Sequence, residues 1–204
     1  MFWFLHYTVK AVIALAFLAL GLGAWMNRHR LEPAEEWVQT LRRAEVERLE
    51  VLGTNTAMMV RAPSGDTVTV GQAKKDRLVF RVAGVVGPPR ALKRHSPAWK
   101  TFERSREHLQ SLALSNEVTV AYTFFEPRVG GVGAVYLRGT NLALAQVAAG
   151  MALVHDASLK GLPLPDQVKL LAEEKKAREE KRGFWAEPEV VARIREAANQ
   201  TAPA

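Results

Sequence analysis

Cysteine is absent from this 204-residue chain, and its absence excludes three kinds of chemistry. Without a thiol there is no disulfide framework, no thiolate zinc site and no cysteine nucleophile. Acidic residues are few as well: 21 Asp and Glu stand against 28 Lys and Arg, which gives a formal charge of +7. This excess of positive charge suits a nucleic acid, an anionic membrane surface or an acidic partner protein, and it does not distinguish between them.

The remaining composition is that of a folded protein. Hydrophobic residues make up 48% of the chain and charged residues 24%, so a packed core is expected and global disorder is not. The length allows one ordinary domain with additional segments. We therefore predict a membrane anchor in residues 1–30, a helical connector in 31–44, a globular domain in 45–188 and a tail helix in 189–204.

The N-terminal segment predicts a single transmembrane helix. Residues 11–26 are uncharged and almost wholly apolar, and residues 2–5 extend the apolar stretch. A bilayer core of about 30 Å requires roughly 20 helical residues. Residues 2–26 meet this length if Lys10 reaches toward the interface. A cleaved signal peptide is the alternative, but the bulky apolar start lacks the short basic region that such peptides carry, so we expect a retained anchor.

Short strands and interposed helices predict an α+β fold. Strands are expected at residues 46–52, 56–61, 67–71, 78–85, 117–126 and 133–137, with a turn at 53–55. Helices are expected at residues 97–114, 141–149, 166–182 and 190–198. In the strand at 117–126, Val118, Val120, Tyr122 and Phe124 alternate with the residues between them. This pattern favours a small five-stranded OB-like β-barrel with helices packed outside it, preceded by the transmembrane helix.

Two motifs within the predicted barrel resemble a known family. The turn at residues 64–67 reads Ser-Gly-Asp-Thr, and the run at 78–89 reads Leu-Val-Phe-Arg-Val-Ala-Gly-Val-Val-Gly-Pro-Pro. These resemble the staphylococcal-nuclease-like (thermonuclease) family, in which an Asp-Gly-Asp-Thr turn and an Arg-Leu-x-Gly-x-Asp-x-Pro-Glu strand build a calcium-dependent phosphodiesterase site. Residues 141–152 and 173–185 are similar to the later helices of the family, so the resemblance extends over about residues 45–187.

The resemblance implies which positions once carried chemistry. Asp66 matches the first calcium carboxylate, and Arg81 matches the first of two catalytic arginines. Val86 occupies the position of the second calcium carboxylate, and Pro89 occupies that of the glutamate base. The second arginine aligns with Gly130.

Loss of these groups predicts a protein without catalysis, bound metal or cofactor. Arg128 can replace the second arginine only after a two-residue shift of the alignment. A lone Asp66 is a poor calcium site because affinity depends on how many charged ligands converge. Loss of the general base costs a further factor of roughly 10²–10⁴ in rate. Asp66 is then expected to bond its own turn, and Arg81 to pair with Asp66 or face solvent.

Two other segments carry charged residues that suggest a functional interpretation. His155 and Asp156 are adjacent on an extended piece, where neighbouring side chains point to opposite faces, so we predict a strand-end turn and no catalytic pair. The second segment is a predicted site for an anionic partner, formed by Arg90, Lys93, Arg94, Lys100 and Arg104. A solvated helix face is the alternative. Few aromatic residues accompany these bases, which makes nucleic acid an unfavoured partner and leaves lipid headgroups or a protein subunit.

The resemblance also suggests a cellular role. One transmembrane helix followed by a substituted thermonuclease-like domain is similar to a small group of eukaryotic mitochondrial inner-membrane proteins. We therefore expect a non-catalytic structural or interaction module, an accessory subunit of a respiratory or ATP synthase complex, with other protein subunits as partners. Two alternatives stay open: a membrane-tethered calcium-dependent nuclease, and a membrane organiser that binds anionic lipid.

Overall fold

A computed structural model describes residues 51–71, 77–91, 93–126 and 130–201. Within these ranges, none of the helices combines the length and the apolar character that crossing a bilayer requires. The predicted anchor at residues 2–26 and the connector at 31–44 lie outside the described residues.

Five strands close into a barrel, as the sequence predicted. Neighbouring strands pair in the order β3-β2-β1-β5-β6, and a parallel pairing of Phe80 on β3 with Gly131 on β6 closes the circuit. Short strands β7 and β4 pair with β6 and β8. The strands are β1 (Gly53–Ser64), β2 (Thr67–Val70), β3 (Leu78–Val82), β4 (Val85–Val86), β5 (Glu117–Glu126), β6 (Gly130–Leu137), β7 (Thr140–Asn141) and β8 (Leu153–Val154).

Helices surround the barrel in the later part of the chain. The longest, α1, begins at Ser96, whose hydroxyl accepts a hydrogen bond from the Trp99 amide at 3.2 Å and so satisfies one of the free N–H groups of the first turn. The helices are α1 (Pro97–Ala113), α2 (Leu142–Ala148), α3 (Asp156–Leu159), α4 (Leu164–Glu179) and α5 (Pro188–Thr201), with a 3₁₀ turn at Gly183–Ala186.

The barrel core contains a stack of three aromatic rings. Phe80 is fully buried, and its ring lies 5.9 Å from that of Tyr122 and 5.8 Å from that of Phe125. The predicted alternation along β5 therefore fails after Tyr122. A register shift between Tyr122 and Phe124 turns Phe125 toward the core and leaves Phe124 half exposed. A β-bulge of this kind adds one residue to one strand and exchanges the two faces beyond it.

The predicted turn at residues 53–55 was wrong. Gly53, Thr54 and Asn55 lie inside β1 and pair with β5 in unbroken antiparallel register. The turn was expected because the residue types at these positions favour turns. Pairing with a distant strand outweighs this local preference.

The tail helix docks on the domain through a second, smaller apolar cluster. Val190 and Ile194 of α5 pack with Val86, Leu153 and Phe184 from three separate parts of the domain. A close backbone contact supports the same region. Gly150 has φ +67°, and a Cβ there would lie 2.2 Å from the Arg182 carbonyl oxygen, so only glycine fits.

Candidate functional site

Asp66 is a buried carboxylate that holds its own turn together. It is 7% exposed, and its Oδ1 accepts hydrogen bonds from the Ser64 hydroxyl at 2.5 Å and the Thr67 hydroxyl at 3.2 Å. Its Oδ2 accepts from the Gly87 amide at 3.0 Å. The carboxylate thereby ties the β1–β2 turn to the segment that follows β4. The predicted bonding within the turn is present, and the link to Gly87 is additional.

A buried amide beneath this turn was missed by the sequence reasoning. Gln146 on α2 is 1% exposed, and its Nε2 donates to the Gly65 carbonyl at 2.6 Å and to the Ser105 carbonyl at 3.2 Å. Its Oε1 contacts Nδ1 of His108, which must therefore carry the proton. Gln146 occupies the apolar face of a helix. The signal available in the sequence was a polar residue on an apolar helix face, because a buried amide requires hydrogen-bond partners.

Arg81 faces solvent and does not pair with Asp66. Its neighbours Phe80 and Val82 are buried, so the alternation of β3 directs Arg81 to the outer face. Among the described residues, the Arg81 guanidinium has no hydrogen bond or ion pair. Of the two predicted alternatives, the structure gives the solvent-facing one, since the Asp66 carboxylate already accepts three hydrogen bonds.

The two positions where the family pattern has acidic residues lie against α5. Val86 is 8% exposed and belongs to the cluster that packs on the tail helix. Pro89 is exposed at one side but lines a small cleft together with Val190 and Ile194 of that helix. The tail helix therefore covers this edge of the site with apolar side chains.

The position aligned with the second arginine has no room for a side chain. Gly130 has φ +117°, and a Cβ there would lie 2.2 Å from the Val79 carbonyl oxygen. Any L-residue would be strained by the backbone conformation and by this contact. Arg128, the alternative candidate, lies outside the described residues.

The donor set does not fit the calcium ion that the resemblance implies. Among the residues that the structure describes, no three His, Cys, Asp or Glu side chains converge to hold a metal. Calcium takes six to eight oxygen ligands, several of them carboxylate oxygens. Here one carboxylate, Asp66, is engaged by three donors, and its neighbour Val86 offers no oxygen from its side chain.

His155 lies closer to the site than the sequence indicated. The predicted strand-end turn is present, because His155 ends the extended piece and Asp156 begins α3. Antiparallel pairing of β8 with β4 brings the His155 amide to the Gly84 carbonyl at 3.0 Å. Burial lowers the pKa of His155 below its ordinary 6.5, and the positive charge of Arg81 lowers the pKa further, against smaller opposing effects of Asp156 and Asp66.

This shift gives a pH dependence of stability. A histidine whose pKa is lower in the folded state than in the unfolded state binds protons preferentially when unfolded. The stability that neutral His155 contributes is fully present above the unfolded-state pKa of 6.5. It is lost as the pH falls through the lower pKa of the folded state. We expect His155→Gln to flatten the fall in the free energy of unfolding on the acid side of neutrality. Urea titrations at several pH values across this range measure the free energy of unfolding, and His95→Gln, at an exposed position, is the control. Parallel pH profiles for the wild type, His155→Gln and His95→Gln would contradict the assignment of the pH dependence to His155.

Four of the five predicted anion-binding residues are exposed and have no carboxylate partner among the residues that the structure describes. Arg90, Lys93 and Lys100 face solvent, and Arg94 stacks on the Trp99 ring at 5.7 Å. Arg104 is engaged differently. Its guanidinium forms an ion pair with Glu187 at 2.7 Å and lies 5.2 Å from the centre of the Phe184 ring, and so it ties α1 to the tail region.

The fold and the turn that carries Asp66 define a class of protein. A closed five-stranded barrel with an acidic turn between β1 and β2, and helices outside it, is an OB-like fold of the staphylococcal nuclease type. The model of the family described as Staphylococcal nuclease homologue matches residues 79–187, which is 109 of the 204 residues. The chain belongs to this family. No curated protein matches the chain.

Proposed function

We propose that this chain is a non-catalytic member of its family and serves as a structural or interaction module. The observation that carries the proposal is the position of the tail helix, which packs against Val86 and shares a small cleft with Pro89, the two positions where the family pattern requires carboxylates. Gly130 supports it, because the second arginine has no space there. The domain keeps the barrel and the Asp66 turn, which stabilise the fold, and lacks the ligands and the base for phosphodiester hydrolysis.

A test of catalysis uses the purified full chain in detergent with calcium and DNA or RNA. We expect hydrolysis at the level of a buffer blank, unchanged in Arg81→Ala. Arg81 is exposed and makes no pair among the described residues, so this variant is expected to fold normally. Calcium-dependent turnover that falls at least about tenfold in Arg81→Ala or Asp66→Ala would refute the proposal.

We further propose that residues 2–26 attach the chain to a membrane and that it works as an accessory subunit of a mitochondrial inner-membrane complex, respiratory or ATP synthase. The apolar run in the sequence supports attachment. Family resemblance and the exposed basic residues support an assembly with other subunits. Mild detergent extraction and native electrophoresis test this: migration with other subunits is expected, and migration alone at the monomer mass would contradict it.

A membrane-tethered nuclease is the second candidate. The exposed guanidinium of Arg81 favours this candidate, because its charge lowers the pKa of His155 and the two side chains are therefore close. This candidate requires ligands from outside the family motif, and the same hydrolysis assay decides between the two.

A further inference from the structure

We propose that one face of the domain, which we call the basic cleft, docks on an anionic lipid bilayer. Its floor is the small cleft between the Pro88–Pro89 segment, the start of α1 and the face of α5 that carries Val190 and Ile194. The inference rests on the proposed membrane attachment, and it adds which surface meets the lipid and which lipid charge it requires.

The floor of the basic cleft is apolar. Pro88 and Pro89 form one side, Ala98 of α1 forms the second, and Val190 and Ile194 of α5 form the third. Among these, Pro89 and Ala98 keep part of their surface in contact with solvent. Apolar surface beside basic residues suits the boundary between headgroups and acyl chains.

Exposed basic residues neighbour the residues that line this floor along the chain. Arg90 follows Pro89 directly, Lys100 precedes the lining residue Thr101, and Arg193 lines the cleft from α5. Lys93 and Arg94 complete the set at the entry to α1.

Nearby carboxylates do not neutralise these bases. Glu103 is paired with Arg106 at 2.5 Å, and Glu187 is paired with Arg104 at 2.7 Å. Glu189, in the first turn of α5, is one acidic residue against the five basic residues named above. Each Lys or Arg close to an acidic membrane adds to the attraction.

The aromatic residues beside the basic cleft favour a bilayer over a nucleic acid. Binding of single strands uses free aromatic faces on which bases stack. Phe102 is 3% exposed, and Trp99 is covered by Phe102 at 5.7 Å and by Arg94 at 5.7 Å. The basic side chains beside the cleft are therefore available to phosphate groups, but in the part of the chain that the structure describes no free aromatic face lies beside them for a nucleobase to stack on.

A vesicle-capture assay with the full chain tests the proposal. The chain is reconstituted in donor vesicles of phosphatidylcholine, and fluorescent acceptor vesicles contain phosphatidylcholine alone or with about 30% phosphatidylserine. We expect at least about tenfold more capture of the acidic acceptors, and loss of that preference in the triple variant Arg90→Glu, Lys93→Glu, Lys100→Glu. The matched control is Lys169→Glu, Lys176→Glu, Arg178→Glu, which changes the net charge equally on exposed positions of α4 and should keep the preference.

Several outcomes would overturn the proposal. These are equal capture of neutral and acidic acceptors, equal loss in the two triple variants, or binding of a single-stranded RNA oligonucleotide with no capture of acidic vesicles. If the first triple variant does not fold, wild-type capture measured against salt replaces it, and capture that does not fall between low and high salt contradicts the inference.

Failure of the membrane anchor is recognised separately. In that case, alkaline extraction releases the chain from the donor vesicles. Direct flotation of the released chain with acidic vesicles then tests the basic cleft by itself.

Discussion

Val86→Asp, which restores the carboxylate of the family pattern, is expected to destabilise the domain by roughly 3–5 kcal/mol at neutral pH. Val86 is 8% exposed and packs in one cluster with Leu153, Phe184 and Val190 of α5, so an aspartate there would be an unpaired charge among apolar side chains. Urea denaturation measures the loss. The penalty should shrink on acidification, because burial raises the pKa of such a carboxyl and protonation removes the charge.

Two controls isolate the role of the tail helix. The same change at an exposed position, Val51→Asp, should alter the stability by no more than about 0.5 kcal/mol, since Val51 is 53% exposed. In a chain ending at Glu187, which lacks α5, the penalty of Val86→Asp should fall because water reaches position 86. A penalty of equal size with and without α5 would show that this helix does not cover the site.

Gly130→Arg, which restores the second arginine, is expected to cost about 3 kcal/mol or more. Gly130 has φ +117°, and a Cβ would lie 2.2 Å from the Val79 carbonyl oxygen, on the strand that β6 joins to close the barrel. The new side chain must therefore displace β3 as well as strain its own backbone. We expect a lower urea midpoint and no gain of hydrolysis.

Gly139 provides a matched control for this prediction. It also has a positive φ, +81°, but an added Cβ would have no atom within 4 Å. Gly139→Arg should therefore cost only the backbone strain, about 1–2 kcal/mol. Equal costs at the two glycines would remove the steric argument and leave open an arginine at position 130.

Together, these variants separate two descriptions of the site. If the groups missing from the family pattern were isolated substitutions on an unchanged surface, restoring them would cost little. The tail helix and the close approach of β6 to β3 favour the other description, in which the surroundings do not accommodate an aspartate at position 86 or an arginine at position 130. Building the full family pattern would then require removal of α5 and a different path for the start of β6.

Much of the barrel could be predicted from local patterns. The alternation of β5 held as far as Tyr122, and α1 begins at Pro97 as predicted. The errors had tertiary causes. The bulge that exchanges Phe124 and Phe125 depends on pairing with β6, and the strand conformation of Gly53 depends on pairing with β5.

The site divides in a similar way. Asp66 and Arg81 were identified from their motifs, whereas Gln146 and His155 were not associated with the site. Gln146 reaches Gly65 across 81 positions of sequence. His155 comes near Arg81 only because β8 pairs with β4. The spacing of residues along the chain does not indicate contacts between positions so far apart in sequence.

The sequence by itself determined which functional groups stand at the positions of the family pattern, because the identity of a side chain fixes its functional groups wherever the chain places it. Valine at 86, proline at 89 and glycine at 130 carry no carboxylate, base or guanidinium. Only the tertiary structure decided what took their place: a docked helix, a narrow backbone contact and a basic face beside an apolar cleft. Packing of this kind arises from segments far apart in the chain, and its free energy depends on surfaces that exist only when they meet.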